Sequence, residues 1–117
     1  MIFFRKKEQS ELFDETTFYP AFINDLLKCK REAVIESPFI TSQRMETFYP
    51  VFKELLNRKV KIHIVTRDPV EHDEDFRHQA TNEILLSKEI GVNISLIIGF
   101  HHRKLAILDR KIPWEGS

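Results

Sequence analysis

The chain has 117 residues, 42% hydrophobic and 31% charged, with 18 basic side chains balancing 18 acidic ones; that is the make-up of one soluble domain with a single core, so residues 1–117 are read as one unit. Zero net charge gives no support to a nucleic-acid-coating role, and no apolar run approaches the roughly 18 residues that cross a bilayer, so no membrane partner is expected. The start, MIFFRKKEQSELF, does not resemble a secretory leader, and the lone Cys29 fits a reducing cytoplasm.

The first ten residues are polar and read as a loosely held stretch or a short helix. Residues 17–31 place Phe18, Phe22, Ile23, Leu26 and Leu27 at three and four spacing, the stripe of a core-facing helix. Pro20 suits the first turn of that helix, and Cys29 reads as packing rather than as a reactive thiol. Residues 33–35 form a short buried strand that ends near Glu36-Ser37-Pro38. Thr41 or Ser42 caps a second helix running to about residue 58, with Phe48, Val51, Phe52, Leu55 and Leu56 inward.

Residues 60–65 alternate as a strand, 67–75 form a loop, and 76–89 form a third helix stopped by Gly91. Residues 92–98 make the next strand. Gly99-Phe100-His101 is a tight link, and residues 103–108 return as a fourth strand, which predicts an antiparallel hairpin. The fold class is α/β, a mixed β-sheet with flanking helices. Thr17-Phe-Tyr-Pro-Ala-Phe22 and Thr47-Phe-Tyr-Pro-Val-Phe52 echo each other thirty residues apart. A duplicated helix–strand unit explains the echo, and so does coincidence.

The chemistry concentrates in HHRKLAILDRK, residues 101–111. Side chains alternate along a strand, so His102 and Lys104 share a face and set an imidazole beside an ammonium. Such a pair can attack a phosphodiester and hold its anionic oxygens. Asp109 follows four residues after Leu105 begins the apolar fill, and Gly116-Ser117 closes the pattern.

This arrangement, His102-x-Lys104-x4-Asp109-x6-Gly116-Ser117, resembles the HKD signature of the phospholipase D superfamily, including its small bacterial nucleases. The resemblance covers residues 102–117 and implies a phospholipase D/nuclease-like fold. It implies that His102 is the nucleophile, or the general acid for a nucleophile from another copy of the motif. It implies that Lys104 neutralises the phosphate oxygens, and that Asp109 completes the catalytic set in a mainly structural role. Ser117, beside Gly116, resembles the phosphate-contacting serine. No metal and no cofactor is implied, because a histidine near its free pKa serves as both nucleophile and acid.

Family sites use two copies of the motif and this chain has one. A homodimer, or a second motif in a longer native protein, is therefore expected. The family pattern continues Gly-Ser-x-Asn, and the sequence ends at Ser117, so the domain is read as truncated at its C-terminus. Some members are fused to helicases.

Glu36 and Ser37 end the first predicted strand, where ligands of α/β sheets bind, and they read equally as cleft-lining residues or as a helix-entry turn shaped by Pro38. His72, Asp73, Asp75 and His78 lack tight ligand spacing and read as a solvated loop rather than a metal site. The phenylalanines lie at helical spacing, as core rather than as a base-stacking platform. Trp114 reads as packing. The expected function is metal-independent phosphodiester cleavage through a phosphohistidine, with nucleic acid, foremost DNA, as substrate. The alternative is a non-catalytic nucleic-acid-binding or dimerisation module of a larger DNA-processing protein.

Overall fold

The computed structural model describes residues 2–6, 10–37, 40–99 and 104–116. Its elements are β1 (Phe3–Lys6), β2 (Ser10–Phe13), α1 (Glu15–Leu27), β3 (Glu32–Ser37), α2 (Ser42–Asn57), β4 (Lys61–Arg67), a 3₁₀ turn (Pro69–Glu71), α3 (Glu74–Ile90), β5 (Asn93–Ile97), β6 (Lys104–Leu108) and β7 (Ile112–Gly116). The strands form one mixed sheet in the order β2-β1-β7-β6-β3-β4-β5. β3, β4 and β5 run parallel, and the remaining pairings are antiparallel. No helix among the described residues is long and apolar enough to cross a membrane.

The helices start where side chains can take up their free amides. Asp14 accepts from the backbone N–H groups of Thr16 and Thr17, Thr41 accepts from Arg44, and Asp73 accepts from Phe76. Gly91 ends α3 at φ +113°, a left-handed value that costs glycine little. Because Asp14 caps α1, the helix begins at Glu15 and Pro20 falls in its second turn, not its first. Pro50 is likewise interior to α2. Each proline removes one amide donor from its helix.

The echoed segments sit at matching places. Pro20 and Pro50 each lie seven residues before the last residue of their helix. Phe18 and Phe22 in α1 thus correspond to Phe48 and Phe52 in α2, and all four join one aromatic cluster.

The core lies between one sheet face and the helices. Ala33, Ile62, Ile64, Ala106, Leu108 and Trp114 supply the sheet side. Phe18, Phe22 and Leu26 from α1, Met45, Phe52 and Leu55 from α2, and Ile84 from α3 supply the other. Burial of this order contributes about 25 cal/mol per Å² of apolar surface removed from water.

Two further expectations need correction. Residues 3–6 are not loose or helical: β1 and β2 pair antiparallel, and Phe3 is buried, stacked on Phe18 at 3.7 Å. Alternation places Phe3 and Arg5 inward, which a local reading of so charged a segment misses. β5 and β6 do not form a hairpin. β5 lies at one edge of the sheet, and β6 pairs with β3 on the far side of β4. The six residues between Ile97 and Lys104 reach roughly 20 Å when extended, enough to pass three strand spacings of about 4.8 Å. The antiparallel hairpin is instead β6–β7, where Asp109 and Arg110 hold φ of +52° and +59° and Lys111 N–H donates to Leu108 C=O. Two consecutive left-handed residues make the turn whose twist suits a hairpin.

Candidate active site

Parallel strands leave a crevice beyond their carboxyl ends. Here β3 brings Glu36 and Ser37 to that edge, and β6, running oppositely, begins there with Lys104. The β6–β7 register sets Lys104 directly against Gly116. α2 enters from above the same edge with Thr41 and Arg44.

These residues line one cavity of about 220 Å³. Of the sequence-predicted site residues, Lys104, Gly116, Glu36 and Ser37 all border it. Glu36, Ser37, Thr41 and Lys104 are half-buried and Arg44 is exposed, so the polar groups ring the mouth. Phe3, Phe18, Phe22, Phe52 and Trp114 are buried and form the interior.

Lys104 stands above this apolar interior. Burial holds its amine below the ordinary lysine value, and the nearby Arg44 guanidinium acts in the same direction, while Glu15 opposes both. Arg44 lies over the Tyr19 ring, its guanidinium carbon 4.0 Å from the centroid. Gly116 has a packing reason to be glycine: a Cβ there would meet two ring carbons of Phe3 at 2.9 Å and the Lys104 Cβ at 3.3 Å.

Asp109 is not brought to the cavity. It lies in the β6–β7 turn at the opposite end of β6 from Lys104. Its carboxylate accepts from the backbone N–H groups of Lys30 (2.9 Å), Arg31 (2.8 Å) and Glu32 (3.1 Å). Partial burial pushes its pKa upward, but these three amides outweigh it and hold the carboxyl below its ordinary value. This contact ties the β6–β7 turn to the α1–β3 connection. His102 and Ser117 lie outside the described residues, as do His101, Arg103 and Pro38.

Other groups singled out from the sequence have local partners. Cys29 is buried, and burial pushes its thiol up to about 12, with Asp109 and Asp25 adding to the effect. Trp114 is 2% exposed, and its Nε1–H donates to Asp25 Oδ2 at 3.0 Å. Asp25 also accepts from Arg5 at 3.1 Å, and Arg5 packs against the Trp114 and Phe13 rings. In the acidic loop Asp73 caps α3 and His72 meets Phe76 edge-on. Among the described residues no group of three or more His, Cys, Asp or Glu side chains could hold a metal ion.

Sequence reasoning missed Arg44, Thr41 and Tyr19 at the mouth. One signal was present. Arg44 is a cation in the first turn of α2, against the helix dipole, and that turn carries no acid, whereas α1 and α3 open with Glu15 and with Glu74 and Asp75.

No family model and no curated protein matches the chain. Solved structures do. NucT from Helicobacter pylori is 15% identical, with a TM-score of 0.53 over 82% of this chain and 74% of that one. Nuc from Salmonella typhimurium, a phospholipase D family member, is 14% identical, with a TM-score of 0.59 over 86% of this chain and 74% of that one. The likeness covers more than four-fifths of this chain in both cases, and the chain has a phospholipase D/nuclease-like fold.

Proposed function

We propose that this chain is a phosphodiesterase domain that cleaves nucleic acid, foremost DNA, by way of a phosphohistidine. The observation that carries the reading is the convergence at one cavity mouth of Lys104, Gly116, Glu36 and Ser37, chosen from sequence, on a fold shared with a phospholipase D family member. A cation above an apolar cavity is well suited to a phosphate, since low local dielectric strengthens its grip.

In the proposed reaction an imidazole nitrogen of His102 bonds to phosphorus and the ester P–O bond breaks. A second imidazole, from another copy of the motif, protonates the leaving oxygen. That copy belongs to a second chain in a homodimer or to a longer protein. Water then attacks phosphorus, the second imidazole takes its proton, and the P–N bond breaks. Lys104 holds the non-bridging oxygens throughout. Ser117 adds a contact to the same phosphate, and Asp109 acts at a distance through the register of β6. Neither a metal nor a cofactor takes part in this scheme.

The test is cleavage of labelled single-stranded and duplex DNA in EDTA, with His102→Ala and Lys104→Ala beside the unaltered chain. Metal-free cleavage lost in both variants supports the enzyme. A cleavage rate unchanged by His102→Ala overturns it. Binding weakened by Lys104→Ala with no cleavage by any form assigns the non-catalytic module instead.

A further inference from the structure

The cavity is far more aromatic than a phosphate requires. Tyr19 and Phe48 are half-buried at its upper wall, Phe22 and Phe52 lie deeper, and Trp114 closes one side. The rings are mutually packed, Tyr19 to Phe48 at 6.1 Å and Phe22 to Phe48 at 5.9 Å, so the wall is rigid. They are core residues, as their spacing suggests, yet they also enclose open space.

We infer that this cavity is a subsite for the nucleobase next to the bound phosphate, with Arg44 as a second phosphate-holding residue beside Lys104. The inference rests on the phosphodiesterase reading and names what its substrate places beyond the phosphate.

Size and charge select this occupant. An apolar cavity of roughly 150 Å³ takes benzene, so about 220 Å³ takes a somewhat larger flat ring system. A long acyl chain needs a channel, whereas the floor here is sheet, formed by Ile35, Ile64 and Ala106. The mouth sets two cations, Lys104 and Arg44, the latter held on Tyr19, beside the carboxylates of Glu36 and Glu115. Two cations facing one mouth match the anion that accompanies every base. The deep polar groups are already engaged, since Trp114 Nε1–H donates to Asp25. Among the described residues nothing at that depth reads a base edge, so the subsite accepts bases by stacking and without sequence preference. A stacked base must leave a duplex, so single strands and frayed ends are the favoured form.

Trp114 is the only tryptophan of the chain, so its fluorescence reports on the cavity wall. The probes are a deoxyadenosine dinucleotide, the same molecule with one base replaced by hydrogen, and short-chain phosphatidylcholine. The dinucleotide is expected to alter Trp114 emission and to bind about 5- to 150-fold more tightly than the abasic form, the range measured for stacked bases. Phe48→Leu, which removes a ring while keeping an apolar fill, is expected to lower that preference about tenfold. Ala106→Leu, which fills the floor, is expected to abolish it; far-ultraviolet dichroism identifies either variant if it fails to fold. Arg44→Gln is expected to weaken both nucleotide probes alike.

Equal binding of the dinucleotide and its abasic form, with Trp114 emission unchanged, overturns the base subsite while leaving phosphodiester cleavage standing. Binding of neither overturns both readings. A Trp114 response to phosphatidylcholine alone assigns the cavity to lipid and overturns the inference.

Discussion

Asp109→Ala separates a structural from a chemical role for the acid of the motif. The carboxylate accepts three backbone amides. A hydrogen bond to a charged group contributes about 1.5–3 kcal/mol when dry. The amides of Lys30 and Arg31 lie at the surface and regain water when the carboxylate is removed, so they contribute a fraction of that. The Glu32 amide is partly buried and contributes more. Alanine also holds the left-handed φ of +52° less readily than aspartate, at about 1 kcal/mol. The expected loss is about 3 kcal/mol, which lowers Tm by roughly 10–15 °C in a domain of this size. Asp109→Asn keeps an acceptor oxygen and tolerates the same φ, and is expected to cost about 1 kcal/mol. The folded carboxyl sits below its unfolded value of about 3.9. Its stabilisation is therefore complete above that pH and lost as pH falls through the folded value. Melting curves followed by circular dichroism from pH 7 to pH 3 should show the gap between the unaltered chain and Asp109→Asn shrinking below about pH 4. A Tm for Asp109→Ala within 2 °C of the unaltered chain (roughly 0.5 kcal/mol) would refute the anchor.

Asp25→Ala leaves the buried Trp114 indole N–H without its acceptor and Arg5 with Glu11 as its remaining carboxylate, and is expected to cost about 2–4 kcal/mol by denaturant unfolding. Gly116→Ala forces the Phe3 ring off Phe18, with an expected loss of about 1–3 kcal/mol on the same assay. Cys29, with its thiol pushed up to about 12, is expected to react with an aromatic disulfide only as fast as the chain unfolds; prompt reaction at pH 8 would contradict its burial. Exchanging Lys104 and Leu105 moves the amine to the opposite sheet face without changing composition. Tm should shift by only a few degrees (about 1 kcal/mol), while dinucleotide affinity should fall to that of Lys104→Ala; full affinity in the exchanged form contradicts the site.

What was legible in the sequence is what local chemistry decides. α2 carries a long apolar stripe behind a capping side chain, α3 carries one that ends at a glycine stop, and Ile62 and Ile64 alternate inward along β4. β1 and β2 were not legible, because four-residue strands rich in charge gain stability only from distant partners, such as Gly116 opposite Phe3. The partner of β6 was misread for a related reason: a short link favours a hairpin, but the apolar positions of β6 find a better match against Ala33 and Ile35. Within the site, Lys104 and Gly116 were visible as members of one spaced pattern. Arg44 was not, because its partner Tyr19 belongs to another helix and the two meet only after folding.

The spacing between Lys104 and Asp109 has a physical reading once both ends of β6 are placed. A strand shifted by one residue turns every side chain to the other face. In β6 such a slip would send Ala106 and Leu108 outward and Lys104 away from the cavity. The five residues are too few to resist this by hydrophobic burial alone, since Leu105 and Ile107 would supply an equally apolar inner face. Asp109 breaks the degeneracy. Its carboxylate on three successive amides at the foot of β3, together with its own N–H donating to Glu32 C=O, admits one alignment. That alignment sets Lys104 against Gly116 at the head of the strand, over the aromatic cavity. An acid at one end of β6 thus fixes where the amine at the other end stands.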